Sequence, residues 1–332
     1  MKLQRRQLPA FWLRGGLPAL LLAPLGWLMA GAVLLRRQLY RSGLLRSERL
    51  PVPVIVVGNI FVGGTGKTPL VIWLCQRLQA KGRRPGVVLR GYGGRAESWP
   101  QRVTADSDPD LVGDEAVLLA RQAGVPVAAG PRRAEAARLL IEAGCDVIVS
   151  DDGLQHYALA RDVEIAVIDA GRGLGNGRCL PAGPLREPRR RLKSVDLVIA
   201  NGGPSAWTPY CFRLVSEPLQ PLGANPGPTP AGGRVHAVAG IGNPQRFFDQ
   251  VRRLGFQPIE HPFPDHHRFR PEELAFDDDL PILMTSKDAV KVSGAIADRC
   301  WVLPVRAEPD AAASNALDAL LVRVLEGAHE SR

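Results

Sequence analysis

The segment Val54-Ile-Val-Val-Gly-Asn-Ile-Phe-Val-Gly-Gly-Thr-Gly-Lys-Thr68 runs from an apolar stretch through a cluster of glycines to Lys-Thr. Residues of these types suit one task. Gly63, Gly64 and Gly66, with Thr65 between them, free the backbone to turn its N–H groups onto phosphate oxygens. Lys67 can reach the β- and γ-phosphates, and the Thr68 hydroxyl can ligate Mg²⁺. The strict pattern G-x-x-x-x-G-K-[ST] is not met, because Phe61 stands at the first glycine position; Gly63 and Gly64 are expected to supply the missing freedom. ATP with Mg²⁺ is the ligand this predicts.

Acids are then needed for the metal. Asp151 and Asp152 end the apolar run Asp146-Val-Ile-Val-Ser150, so a parallel sheet would deliver them at its carboxyl edge, beside the phosphate loop. Asp169, after Ile165 to Ile168, is a rival and the pair is favoured over it. Gly113-Asp114-Glu115 opens a helical pattern, where acids are also favoured by the helix dipole alone. His266 and His267, in Pro264-Asp-His-His-Arg268, fall on a loop; a histidine pair there is more often structural than catalytic.

The elements that must position these residues alternate. Val54 to Val57, Val87 to Leu89, Val125 to Ala128, Val147 to Val149, Ile165 to Ile168 and Leu197 to Ile199 read as buried strands. Pro69 to Lys81, Asp114 to Ala123 and Arg132 to Ala143 have helical spacing between them. The fold class is α/β: a P-loop NTPase-like, doubly wound parallel sheet over 51–205. A Pro- and Gly-rich stretch from Gly202 to Gly233 marks a boundary, interrupted by Tyr210 to Val215. A second, smaller α/β domain over 206–310 follows, with strand Val235 to Ala239, helix Pro244 to Leu254, strand Pro281 to Thr285 and a helix from about Asp288. Trp301 to Val305 is expected to pair with Tyr210 to Val215 as a two-stranded hinge. A final helix, Ala311 to Leu325, lies in the C-terminal segment 311–332.

Charge is uneven. Of the 42 Lys and Arg against 33 Asp and Glu, giving +9, nine cations (Lys2, Arg5, Arg6, Arg14, Arg36, Arg37, Arg41, Arg46, Arg49) lie in the first fifty residues against Glu48 alone. They bracket the uncharged run Leu17 to Leu35, which as one helix would be ~28 Å long. Segment 1–50 therefore reads as a membrane-associated helix lying on an anionic surface, not as a nucleic-acid stripe over the folded domains. Pro18, Pro24, Gly26 and Gly31 weaken a spanning helix. Five scattered cysteines without a C-x-x-C indicate neither a disulfide framework nor a zinc site. A membrane-docked nucleotide-switch ATPase shares the loop and the strand-end acid, but has no use for the second domain.

These blocks together resemble the tetraacyldisaccharide 4'-kinases. The resemblance rests on Val57-Gly-Asn-Ile-Phe-Val-Gly-Gly-Thr-Gly-Lys-Thr-Pro69, Leu89-Arg-Gly-Tyr-Gly93, Val112-Gly-Asp-Glu115, Ser150-Asp-Asp-Gly-Leu-Gln155, Gly175-Asn-Gly-Arg178, Leu180-Pro-Ala-Gly-Pro-Leu-Arg-Glu187, Ala239-Gly-Ile-Gly-Asn-Pro244, Phe263-Pro-Asp-His266 and Thr285-Ser-Lys-Asp-Ala-Val-Lys291, in that order. It implies phosphorylation of a lipid disaccharide precursor of lipid A at the cytoplasmic face of the inner membrane, by a chain expected to act as a monomer. It further implies Asp114 as the base, His266 as its partner from the second domain, and Lys67 and Thr68 at phosphate and metal. Asp151, Asp152 and Glu115 become the metal acids, and Tyr92, Asn176 and Arg178 ligands lining the cleft.

Overall fold

The computed structural model describes residues 8–330; Lys2, Arg5 and Arg6 of the basic cluster lie outside the described residues. The chain opens with three helices, α1 (Ala10–Arg14), α2 (Leu17–Leu21) and α3 (Ala23–Arg41). The expected single helix over 17–35 is thus broken. Pro18 and Pro24 each sit in a first helical turn, where the missing N–H costs nothing, so each starts a new helix. No helix among the described residues is long and apolar enough to cross a membrane.

β1 (Val54–Gly58) leads through the glycine-rich loop into α4 (Lys67–Ala80). There follow β2 (Pro85–Leu89), β3 (Gln101–Val103), α5 (Pro109–Val112), α6 (Asp114–Gln122), β4 (Val127–Ala129), α7 (Arg133–Glu142), β5 (Val147–Asp151), β6 (Val163–Asp169), β7 (Leu197–Asn201) and β8 (Cys211–Ser216). A short β9 (Gln220–Pro221) begins a second unit with β10 (Gly233–Ala239), α8 (Pro244–Arg253), β11 (Phe256–Pro262), α9 (Pro271–Leu274), β12 (Ile282–Thr285), α10 (Ser286–Ala289) and β13 (Cys300–Leu303). The chain returns through β14 (Val305–Pro309) to α11 (Ala311–Glu330).

The larger sheet has nine strands in the order β14-β8-β7-β6-β1-β5-β2-β4-β3. Seven central strands are parallel, and the edges β3 and β14 are antiparallel. Its central strands are apolar on both faces because both are covered: Leu70, Leu74 and Leu78 of α4 share one core with Leu317 and Leu321 of α11, while Ala136 and Leu140 of α7 fill the other. Val57 of β1 stands opposite Asp151 of β5, which sets the glycine loop beside the strand-end acids. The smaller sheet, β11-β10-β12-β13-β9, packs Phe247, Phe248 and Val251 of α8 against Val235, Ala237 and Leu283.

The hinge differs from expectation. Cys211–Ser216 pairs with Val305–Pro309, Ser216 opposite Val305, whereas Trp301 to Leu303 belongs to the smaller sheet beside β12. Pro304 separates the two runs, and its carbonyl accepts from the Glu217 N–H at 3.0 Å, so the chain passes between sheets twice at one place. α10 starts at Ser286, earlier than expected, because the Thr285 hydroxyl accepts from the Asp288 N–H and caps it. All five cysteines are free and buried.

Candidate active site between the two sheets

Two asparagines shape the phosphate loop. Asn59, at the end of β1, donates to the Gly63 carbonyl at 3.2 Å and the Thr65 hydroxyl at 3.3 Å; Asn201, at the end of β7, donates to the Thr65 carbonyl at 3.0 Å. Gly66 has φ +83°, and a Cβ there would lie 2.3 Å from the Asn201 amide nitrogen, so no other residue fits. Phe61, which breaks the strict glycine pattern, is 2% exposed in the core and bridges to Leu185. The turn freedom comes from Gly63 at φ +92°.

The loop ends on the acids. The Thr68 hydroxyl donates to Asp151 Oδ2 at 3.1 Å, and Lys67 Nζ stands 3.3 Å from Asp152 Oδ1. The other Asp151 oxygen is buried with no hydrogen-bond partner. Burial pushes Asp151 up to about 6 against the pull of Lys67, with Glu115 and Asp152 adding to the rise. Asp152 is half-buried, and desolvation opposes its ionisation, yet Lys67 and Arg186 outweigh that and hold it far below the ordinary carboxylate range. Arg186 pairs with it at 2.9 Å, Arg133 donates to its carbonyl, and its backbone is held at φ +49°. Asp169 lines the same cleft but is engaged by arginines: it accepts from the N–H of Arg172 and pairs with the side chains of Arg172 and Arg246.

Across the cleft, the loop after β11 brings His266 to Asp114, 152 residues apart in the chain: Nδ1 lies 3.0 and 2.9 Å from the two carboxylate oxygens. Asp114 begins α6 and its Oδ1 also accepts from the Glu115 N–H at 2.9 Å. Burial works against its ionisation, but the His266 hydrogen bond and the charge of Lys287 bring it below the ordinary aspartate range. The same bond raises His266, against burial and Lys287. His266 has φ +61°, a conformation rare for a non-glycine residue and retained where surrounding contacts over-determine it. Tyr92 covers its ring at 5.3 Å. Lys287 Nζ reaches Glu115 Oε1 at 3.1 Å and Asp265 Oδ1 at 3.1 Å.

Gly63 to Thr68, Tyr92, Glu115, Asp151, Asp152 and His266 thus line one cleft of about 1300 Å³. Asn176 and Arg178 are not brought to it. The Asn176 amide donates to the carbonyls of Phe11 and Ala182 and accepts from the Arg178 N–H, so the Gly175-Asn-Gly-Arg178 turn holds the N-terminal helices in place. His267 turns away to Glu273 at 2.9 Å and stacks on Phe263. Sequence reasoning missed Lys287, Arg133, Arg186, Asn201 and Arg246 as lining residues. Arg186 and Lys287 sit inside motif blocks, but nothing in their spacing marks them.

The family model for tetraacyldisaccharide-1-P 4'-kinase matches residues 18–324. A tetraacyldisaccharide 4'-kinase of Alkalilimnicola ehrlichii is 59% identical over 324 residues, 96% of this chain and 98% of its own length. The one from Halorhodospira halophila is 52% identical over 318 residues, covering 95% and 97%. Among solved structures, the "apo" form of LpxK from Aquifex aeolicus in complex with ATP superposes with a TM-score of 0.76 at 28% identity, covering 93% of this chain and 99% of that one. The chain belongs to the tetraacyldisaccharide-1-P 4'-kinase family.

Proposed function

We infer that this chain is the 4'-kinase of lipid A biosynthesis, moving the γ-phosphoryl group of ATP to the 4'-hydroxyl of a tetraacyldisaccharide 1-phosphate. The observation that supports this reading is the cleft itself, lined by the phosphate loop of one unit and by His266 of the other, with His266 hydrogen-bonded to Asp114. The hydroxyl oxygen bonds to the γ-phosphorus, the bond to the bridging oxygen breaks with its electrons left on ADP, and the hydroxyl proton passes to Asp114. Lys67 and the loop N–H groups position the phosphates, and closure keeps water from them.

The residues present fit Mg²⁺. Asp151 offers a buried oxygen without a partner beside the Thr68 hydroxyl, which is the donor set of a cation that also takes phosphate oxygens and water. Thr68 and Asp151 would hold it, with Asp152 and Glu115 nearby, and it would neutralise phosphate charge. Asp152 is already engaged by Lys67 and Arg186, and Glu115 by Lys287, so Asp151 is the acid of the set that would be free to hold the cation.

The N-terminal helices support docking on an anionic membrane surface, read here as the cytoplasmic face of the inner membrane. Their packing inverts the usual order of sizes: Ala19, Ala23 and Gly26 are turned inward, while Leu17, Leu20, Leu21, Trp27 and Leu28 are more than half exposed. A Cβ on Gly26 would come within 2.9 Å of Ala182, so the close approach needs small residues. Large apolar groups displayed beside arginines suit acyl chains under anionic headgroups.

Purified chain incubated in detergent with γ-labelled ATP and the dephospho acceptor should transfer label to the lipid. Release of labelled phosphate without labelled lipid would overturn the kinase reading in favour of a hydrolytic switch.

A further inference from the structure

The block Thr285-Ser-Lys-Asp-Ala-Val-Lys291 has so far no part in the reaction, yet its side chains are fully engaged. Asp288 is completely buried and accepts from the Gly240 N–H at 3.0 Å, from Thr285 Oγ1 at 2.7 Å and from Lys291 at 3.0 Å, which fixes β12, α10 and the loop after β10 as one piece. Lys287 turns the other way, into the cleft. Its ammonium has three N–H bonds and three acceptors within reach: Glu115 Oε1 at 3.1 Å, Asp265 Oδ1 at 3.1 Å and His266 Nε2 at 3.2 Å. No donor is left over for a phosphate.

An ammonium cannot accept a hydrogen bond, so at this contact Nε2 must present its lone pair. The ring proton is then on Nδ1, the nitrogen facing Asp114. The Asp114 carboxylate on its own would draw a second proton onto the imidazole, and the neighbouring ammonium opposes that. A 3.2 Å nitrogen–nitrogen contact has room for one donor, and Lys287 is the one that cannot be anything else.

We propose that Lys287 is a positioning residue for phosphoryl transfer: by donating to Nε2 it fixes the His266 proton on Nδ1, so that the imidazole donates to Asp114 and leaves that carboxylate as the proton acceptor. This rests on the reading of Asp114 and His266 given above. It also assigns their order, since Nε2 is occupied and cannot itself take the acceptor's proton. Asp265, on the His266 loop, holds the ammonium within the second unit, and Glu115 of α6 joins its acceptors only when the two units meet.

Lys287→Met, Lys287→Arg, His266→Ala and the Lys287→Met/His266→Ala double variant are compared with the parent by steady-state kinetics in detergent, with thermal melts to establish folding. We expect Lys287→Met to lower kcat about 10- to 100-fold with the KM for ATP changed less than about threefold, Lys287→Arg to recover most of the loss, and the double variant to be no slower than His266→Ala within about threefold. Multiplicative losses in the double variant, or a loss confined to the KM for ATP, would show that Lys287 acts independently of His266 and would overturn the proposal while sparing the pair. A fully active His266→Ala enzyme would sink the Asp114–His266 reading and the proposal with it.

Discussion

Asp114 stands where two chemistries predict the same residue. The first turn of a helix favours an acid by its dipole, and a hydroxyl acceptor favours a nearby carboxylate. The structure separates them in part: the N-cap is Gly113, and Asp114 uses one oxygen on the Glu115 N–H and both on His266. Asp114→Asn keeps the local acceptor oxygen and loses the basicity. We expect it to lower kcat by roughly 10²- to 10⁴-fold with the KM for ATP nearly unchanged; turnover close to that of the parent would make Asp114 a helix-end residue only. The loop residues Gly63 to Thr68 and the acids Asp151 and Asp152 were legible because strand, turn and helix constrain them within a few positions. Lys287 and Arg186 were not, since their use depends on a contact made across the fold. Asn176 was read as a cleft ligand from its motif block, yet its amide is saturated by carbonyls of the N-terminal segment, a placement that no local spacing encodes.

At the scale of elements, the parallel strands of the larger sheet could be read directly, since burial on both faces makes them short apolar runs. β11 could not: Phe256–Pro262 carries Gln257, Pro258, Glu260, His261 and Pro262, and it is a strand because β10 pairs with it along its whole length. The hinge partner was misplaced for a related reason. Two β-like runs flank Pro304, and only the tertiary structure decides which crosses to the larger sheet. β11 also contributes to a polar chain that runs from buried His236 of β10 to exposed Asp278. His261 Nε2 lies 2.9 Å from His236 Nδ1, and His236 Nε2 2.9 Å from Asp278, with Phe276 stacked on both rings. Burial, reinforced by His236, pushes His261 from 6.5 down to about 4. The unfolded chain therefore takes up this proton first as pH falls, and the contribution to stability, whole above about 6.5, is lost progressively toward 4. Asp151, raised to about 6, works in the opposite sense, so the difference between parent and variant is what isolates the histidine. His261→Gln, which can still donate to His236, is expected to flatten the fall in melting temperature between pH 7 and pH 5. Parallel pH curves for the two proteins would remove His261 from the acid sensitivity.

At the scale of the whole molecule, the helices proposed to dock on a bilayer have a short connection to the cleft: Arg36 of α3 donates to the Gln155 carbonyl, three residues beyond Asp152, and lines the cleft. The docking surface can be tested without disturbing that connection. Leu21, Trp27 and Leu28 are 73%, 68% and 70% exposed, so replacing all three by Glu leaves the core intact. We expect the triple variant to lose flotation with anionic vesicles, to keep its melting temperature within about 2 °C, and to raise the KM for lipid more than that for ATP. Flotation equal to that of the parent would place the membrane contact elsewhere. The double strand passage at Ser216–Glu217 and Pro304–Val305 has a mechanical meaning of its own. Two covalent links set side by side act as a door hinge, permitting a swing about one line and resisting slide or twist. Asp265, His266 and Lys287 all ride on the door, and Asp114 and Glu115 on the frame. They are carried as a single latch, so a swing that parts the units parts the whole set from Asp114 and Glu115 at once.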